Sequence, residues 1–329
     1  MVSTLPDLAT VVALVEDAAR APSMHNAQPW RFVLRHASGT LDLRGDLGRA
    51  VPHADPEHRA LHLGCGAALF GLRVSAARAG LSCAVELLPD PADPWLFASA
   101  RLTPGGAPEE ELAALRPALL ARHTSRFPFR DEEVPAAIVD GLRAAALLEG
   151  CRLAVPDDWH TDTVLTLVQD AEHREDMDAG LRAETAAWMR GGGAGEADGV
   201  PAAAFGPVRS GSGAGVRDFG RAMHVPDRGW AVFERRPAIA LLGTRGDGPA
   251  DWLRAGQALH RVLLRATADG LVTSMTSQPL EWPELRPTVR DPLEGTGHVQ
   301  MVVRYGYGPP GPASPRRPVA EVLEVLEGR

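Results

Sequence analysis

Two stretches of similar sequence, GAALFGLRVSAARAGL at 66–81 and GQALHRVLLRATADGL at 256–271, decide how the chain is organised. Apolar residues recur at helical spacing in both, and each stretch ends at a glycine in the position that terminates a helix. Aligned without a gap, the stretches share the pairs Gly66/Gly256, Ala68/Ala258, Leu69/Leu259, Ala76/Ala266, Gly80/Gly270 and Leu81/Leu271. We therefore predict two long, related helices.

The flanking segments repeat in the same order. The helical pattern LATVVALVEDAA (8–19) precedes the strand-like WRFVLR (30–35), and AAIVDGLRAAALLEG (136–150) precedes CRLAV (151–155). Apolar strand-like segments also follow the two related helices, WLFASARL at 95–102 and VQMVVRYGYG at 299–308. Repetition in order favours an internal duplication, with halves 1–120 and 121–329. Unrelated Ala/Leu helices in an alanine-rich chain remain the alternative.

A glycine-rich stretch at 191–215 interrupts the second half. It contains 9 glycines in 25 residues, a composition typical of a long loop rather than a helix or strand. Loops of this length are commonly lids or disordered insertions, and both readings stay open.

Composition narrows the classes of function. The chain has 329 residues, 45% of them hydrophobic and 23% charged, with a formal net charge of −8. This acidic balance argues against a nucleic-acid partner. There is no lysine, which excludes a Schiff-base or P-loop lysine, so an anion site would have to use guanidinium groups.

Location and metal binding can also be addressed from residue types. Three cysteines without CxxC spacing, Cys65, Cys83 and Cys151, indicate reduced thiols of a cytoplasmic protein. No apolar run reaches the roughly 18 residues of a membrane span, so we expect no membrane partner. His58 and His62 share a helical face, but no HExxH pattern accompanies them, and we predict no metal.

Two basic motifs in the second half suit an anion. In RHTSRFPFRDEEVP (122–135), Arg122, Thr124 and Arg126 could offer two guanidinium forks and a hydroxyl to one phosphate. The alternative is a solvated turn whose arginines pair with the following acidic residues. In SPRRPVAEVLEVL, Arg316 and Arg317 stand just before a predicted last helix.

Together with APSMHNAQPWRF (21–32), these motifs resemble the FMN-dependent nitroreductase family. The stretch 21–30 is similar to its APSxxNxQPW element, 122–135 to its RxSxR phosphate element, 255–275 to its central helix, and 316–323 to its C-terminal basic pair. The resemblance implies an α+β, nitroreductase-like fold in two tandem copies. Each copy would be a mixed, mainly antiparallel sheet flanked by helices.

The resemblance also implies how the two halves share one site. Ordinary members of the family are homodimers that hold each FMN between subunits. Here the first half carries the Pro-Ser stretch without an RxSxR, and the second half carries the arginines without a Pro-Ser stretch. The chain thus resembles the Acg-like branch, a monomeric pseudo-dimer with one FMN and one dead site.

By this correspondence, Pro22, Ser23, Met24 and Asn26 would lie against the flavin ring, with Ser277 and Gln278 placing a backbone N–H near its N5. The second-half residues implied at the phosphate and ribityl end are Arg122, Thr124, Arg126, Arg316 and Arg317. Gln28 and Trp30 are interpreted as structural, with Gln28 satisfying buried backbone.

The implied activity is ping-pong hydride transfer from NADPH or NADH through FMN to a small-molecule electron acceptor, a nitroaromatic or a quinone. Two alternatives stay open. One is an Acg-type protein that sequesters or stores FMN under a lid formed by 191–215, and the other is the fold without a cofactor.

Overall fold

The computed structural model describes residues 6–36, 38–105, 109–191, 195–211, 217–221, 223–290, 292 and 295–326. The helices are α1 (Leu8–Ala18), α2 (Arg59–Arg78), α3 (Glu110–Ala113), α4 (Arg116–Ala121), α5 (Ala136–Leu148), α6 (Asp158–Met177), α7 (Ala179–Ala187), α8 (Pro249–Ala268) and α9 (Val319–Val322). The strands are β1 (Trp30–Arg35), β2 (Thr40–Gly45), β3 (Leu81–Leu87), β4 (Leu96–Pro104), β5 (Arg152–Ala154), β6 (Met189–Arg190), β7 (Val200–Pro201), β8 (Val208–Arg209), β9 (Trp230–Ala231), β10 (Ile239–Thr244), β11 (Val272–Thr276), β12 (His298–Gly306) and β13 (Leu323–Leu326).

Two sheets with the same strand order form the frame of the molecule. The first has the order β13-β1-β2-β4-β3, and the second has the order β5-β10-β12-β11. The run β1-β2-β4-β3 therefore matches the whole second sheet strand for strand, with antiparallel pairing throughout. This repetition agrees with the duplication read from the sequence, and the α+β fold with two tandem copies is confirmed.

The two related helices pack against each other between the sheets. A Cβ added to Gly66 would lie 2.2 Å from the Leu253 carbonyl oxygen, and one added to Gly256 would lie 2.1 Å from the Leu63 carbonyl oxygen. Only glycine permits backbones to approach this closely. The shared glycine pair is therefore the point where the copies meet.

A glycine also ends each of these helices and starts a strand. Gly80 and Gly270 have φ angles of +72° and +80°, the left-handed conformation that stops a helix. β3 and β11 begin immediately afterwards, although neither strand was predicted from the sequence.

The C-terminal segment differs from its prediction. The predicted last helix is only the four-residue α9, Val319–Val322, and Leu323–Leu326 forms β13, parallel to β1. The reason is the exposed edge of β1, which offers main-chain partners that a short isolated helix lacks. The second half thereby ends inside the first sheet.

α2 is longer and more apolar than the sequence prediction of no membrane-span-like run allowed. Among the described residues, α2 has the length and composition to cross a membrane, but 83% of that window is buried inside the protein. It packs against α8 on one side and the first sheet on the other, and this burial accounts for its apolar composition.

One connection differs greatly between the copies. β1 passes to β2 through residues 36–39, whereas β5 reaches β10 through residues 155–238, which include α6, α7 and four short strands. Part of the glycine-rich stretch forms β7 and β8, so the prediction of a plain loop is wrong there, because Val200, Ala204 and Phe205 are buried together with Phe219. Residues 192–194 and 212–215 of that stretch lie outside the described residues.

Candidate functional site

The loop between α1 and β1 has a strained backbone. His25, Asn26 and Gln28 have φ angles of 50°, 55° and 53°, a region that non-glycine residues rarely adopt. The Ser23 hydroxyl accepts a hydrogen bond from the Gln28 N–H at 2.9 Å. Gln28 also donates to the Ala197 carbonyl at 2.8 Å and accepts from the Arg317 N–H at 2.9 Å. These contacts agree with its interpreted structural role, and such strain is typical of functional sites.

Guanidinium groups of the second half converge on this loop. Arg122 and Arg316 each donate to the Arg20 carbonyl, at 3.1 and 3.0 Å, and Arg316 also donates to the Asn26 side-chain oxygen at 3.0 Å. The Nε atoms of both arginines are buried without a hydrogen-bond partner, as is Nδ1 of His123. They line a space of about 450 Å³, open solvent at its mouth included, which we call the arginine cavity.

The charge of the arginine cavity is uncompensated. Within the described part of the chain, neither Arg122 nor Arg316 forms an ion pair with a carboxylate. Burial lowers the pKa of Arg122 to about 10, and burial together with Arg122 and Arg20 lowers that of Arg316 to about 9. Burial and the same arginines lower the pKa of His123 to about 4. Such a cluster is costly unless an anion binds, and it fits a phosphate.

A larger space adjoins it, which we call the central cavity. It encloses about 890 Å³, open solvent at its mouth included. Four side chains on its wall carry a buried polar atom without a partner: His25 at Nε2, Arg217 at Nε, Ser274 at Oγ and Gln278 at Oε1. His25 also lines the arginine cavity. The two spaces also share Pro22, Ser23, Arg126 and Met275 on their walls, so they lie side by side and present polar groups for one elongated ligand.

The insertion between β5 and β10 covers the central cavity. Phe219 is 4% exposed and contacts His25 edge-on, with ring centroids 5.8 Å apart. The Arg126 guanidinium lies 4.7 Å from the Phe219 ring centroid and donates to the Ala204 carbonyl. Burial, then Arg217 and Arg126, holds the pKa of His25 well below its usual value, so the imidazole is neutral at pH 7.

Ten of the eleven predicted site residues line these two cavities. The first half supplies Pro22, Ser23, Met24 and Asn26, and the second half supplies Arg122, Thr124, Arg126, Ser277, Gln278 and Arg316. Arg317 lies outside both cavities, because its guanidinium pairs with Glu321 at 3.4 Å and Asp46 at 3.7 Å.

Several site residues were missed from the sequence. His25 stands inside the quoted motif, and its unusual residue type there was the available signal. Arg217 and Phe219 gave no local signal, because folding of the insertion brings them to the site. Glu281, which follows β11, also gave none. The lid at 191–215 stays a prediction: among its described residues Val200 lines the arginine cavity, and Arg217 and Phe219, which follow that stretch, line the central cavity.

In the second copy, the connection between α5 and β5 corresponds to the α1–β1 loop of the first copy, but its residues are different. Between α5 and β5 only residues 149–151 remain, where the first copy has 19–29. Glu149 is 6% exposed there and accepts from Arg73 at 2.6 Å and Arg261 at 2.8 Å. This carboxylate gives Arg73 and Arg261 a counter-charge that Arg122 and Arg316 lack among the described residues.

Comparison with known proteins gives consistent matches. The sequence model of the "Nitroreductase family" matches residues 119–307. A Mycobacterium tuberculosis protein named "Putative NAD(P)H nitroreductase acg" is 31% identical over 94% of this chain and 92% of its own length. A second M. tuberculosis protein named as an NAD(P)H nitroreductase is 32% identical over 92% and 87%. A crystal structure of "a putative nitroreductase" from Anabaena variabilis covers 92% of this chain and 89% of its own at 12% identity, with a TM-score of 0.52, and shows the fold alone.

Proposed function

The chain belongs to the nitroreductase family, and we propose that it is an FMN-dependent oxidoreductase of the single-chain pseudo-dimer type. Bound FMN would accept hydride from NADPH or NADH and pass it to a small nitroaromatic or quinone. The protein's part is to hold the flavin, tune it and control access to it. We place the protein in the cytoplasm as a monomer whose two halves form one site.

The observation that carries the proposal is the uncompensated arginine cavity beside a larger cavity with unpartnered polar atoms. Arg122 and Arg316 would bind the phosphate through N–H groups that have no partner otherwise. His25, at the junction of the cavities, would face the ribityl chain. Ser274 and Gln278 would present their free oxygens to the ring. A phosphate-bearing, flat, polar-edged ligand satisfies both spaces at once.

The ring would lie where the halves meet. Ser23 and Gly64 of the first half and Ser277 of the second line the same cavity, and a Cβ on Gly64 would lie 3.3 Å from the Ser23 Cβ. A backbone N–H near 277–278 would stabilise charge that develops on the reduced ring. Exclusion of water by Phe219 would strengthen that interaction.

The first test is binding. Purified protein titrated with FMN should show one flavin per chain in its visible spectrum and elute as a monomer in light-scattering chromatography. Arg122→Gln with Arg316→Gln should abolish FMN retention while the fold persists by circular dichroism. The matched control is Arg317→Gln, because Arg317 is paired with carboxylates outside the cavities, and it should retain FMN. Binding in the double variant equal to wild type would refute the phosphate assignment.

A second candidate function, FMN sequestration without turnover, is favoured by the cover over the central cavity. Phe219 is buried between Arg126 and His25, where a nicotinamide or acceptor would need to enter. Anaerobic mixing with NADPH separates the candidates, since bleaching of the flavin indicates turnover. Flavin that bleaches with dithionite but not with NADPH would indicate sequestration. In that case Phe219→Ala should restore reduction by NADPH.

A further inference from the structure

A hydrogen-bonded chain of side chains leaves the central cavity from Ser277. The Ser277 hydroxyl donates to Glu281 at 2.8 Å, and Arg217 donates to the other Glu281 oxygen at 2.6 Å. The same Arg217 nitrogen lies 3.3 Å from Glu175. Glu175 and Arg217 line a second space of about 960 Å³, open solvent at its mouth included, whose wall shares Phe219 with the central cavity. We call this space the outer cavity.

This hydrogen-bonded series of side chains contains two carboxyl groups and one guanidinium group. The side chains of Glu281, Arg217 and Glu175 are 3%, 11% and 15% exposed. Two buried carboxylates that share one cation cannot both ionise without cost, so one of them tends to keep a proton. Glu281 is the more deeply buried, and its pKa is raised, with burial the main cause and Glu175 adding to it. The Arg217 cation opposes that rise but does not cancel it.

From this geometry we propose that Glu281 stores the proton that the reduced acceptor requires and delivers it through the Ser277 hydroxyl. The proposal rests on the proposed function, because it assumes that an acceptor is reduced in the central cavity. Nothing in the motifs that define the family resemblance specifies Glu281 or Arg217.

The proton step balances as follows. Hydride transfer to a quinone adds two electrons and one proton, which leaves an oxyanion. When Glu281 carries the proton on the oxygen that Ser277 contacts, that oxygen donates to Ser277 Oγ and the Ser277 hydroxyl turns towards the oxyanion. The oxyanion takes the Ser277 hydroxyl proton, and Ser277 takes the carboxyl proton of Glu281 in its place. Glu281 becomes a carboxylate beside Arg217, whose charge stabilises it. Glu281 then regains a proton from solvent, from hydronium or a buffer acid, through a space of about 1260 Å³, open solvent at its mouth included, that Glu281 itself lines beside Arg59 and Arg286.

The pH dependence follows from the groups that face Glu281. These are Arg217 from the insertion, Glu175 from α6, Arg59 from α2 and Ser277 beside it. The stored proton is present below the raised pKa of Glu281 and lost above it. Oxidation of the reduced protein by a quinone should therefore slow as pH rises through that pKa.

The test uses FMN-loaded protein that has been reduced with dithionite, desalted and mixed anaerobically with benzoquinone over a range of pH. Glu281→Gln should slow flavin reoxidation by about 100-fold, the usual effect of losing a positioned acid, and should remove the pH dependence. Ser277→Ala should also slow it. The matched control is Asp176→Asn, which should react like wild type. Asp176 lines the same outer cavity but does not belong to the hydrogen-bonded series of side chains that starts at Ser277.

A second readout does not depend on turnover. The infrared spectrum recorded between the ordinary glutamate pKa and the raised pKa of Glu281 should contain a protonated-carboxyl band that disappears in Glu281→Gln and persists in Ser277→Ala. Absence of that band in wild type, or a Glu281→Gln variant that reoxidises at wild-type rate and pH profile, overturns the proposal. If reduced wild type ignores quinones while the band is present, the proposed activity fails but the proton store stands.

Discussion

Gly256→Ala tests whether close contact between the two long helices holds the copies together. An alanine Cβ there would lie 2.1 Å from the Leu63 carbonyl oxygen and 2.9 Å from the Ala67 nitrogen, whereas ordinary contacts begin at 3.4 Å. The helices would have to separate by about 1.3 Å at this point, taking the ordinary limit as the target. Because the obstacle is backbone, no side-chain rotation relieves it.

The expected cost follows from two opposing effects. Overpacking of a tight core costs about 3 kcal/mol at the upper end of its usual range, and alanine returns about 1 kcal/mol of helix propensity. We therefore expect the free energy of unfolding to fall by about 2 kcal/mol, the difference between those terms. Leu63 also lines the central cavity, so FMN affinity should fall as well.

Urea unfolding monitored by circular dichroism, with and without FMN, measures both effects. The matched control is Gly141→Ala within α5, where the nearest atoms are 3.7 Å away on the flexible Arg265 side chain. This control should gain about 0.5–1 kcal/mol from helix propensity. If Gly256→Ala is stabilised like Gly141→Ala, the close approach of α2 and α8 does not require glycine at position 256.

Three further outcomes are expected. Glu149→Ala should destabilise the protein by about 3 kcal/mol in urea unfolding, because Arg73 and Arg261 lose their shared buried carboxylate; an unchanged midpoint contradicts this. Glu281→Gln should gain stability relative to wild type as pH rises from the unfolded carboxyl pKa towards the raised folded pKa, and a difference that is flat with pH would count against a stored proton. Asp198→Asn should loosen the segment above the site, since its carboxylate binds Arg49 and Arg190. Faster amide exchange in 195–211 is the expected result, and unaltered exchange would show that the ion pairs of Asp198 do not hold this segment.

Much of the fold could be predicted from local sequence because its signals are periodic and repeated. The helical spacing of 66–81 and 256–271, with a terminating glycine in each, predicted α2 and α8. The strand-like segment 30–35 matches β1. The C-terminal residues were the exception: LEVL became β13 instead of helix because the edge of β1, nearly 300 positions earlier, supplied the partners. A pairing so distant leaves no local pattern.

For the candidate site, too, local sequence predicted some features and the folded structure was needed for others. The resemblance of short motifs to the family predicted Pro22, Ser23 and Asn26 in one half and Arg122 and Arg316 in the other, and these residues line the two cavities. What the sequence could not supply was the contact partner of each group. In the sequence, an arginine that pairs with a carboxylate, such as Arg317, cannot be distinguished from an arginine that has no carboxylate partner.

The sequence by itself determined the duplicated helices, the absence of lysine chemistry and the short motifs whose residues line the two cavities. The tertiary structure alone decided that Phe219 covers the central cavity, that Glu281 and Glu175 share Arg217, and which cations lack a counter-charge. The physical reason is that burial and electrostatic pairing depend on distances between chain segments far apart in sequence, and only the folded chain sets those distances.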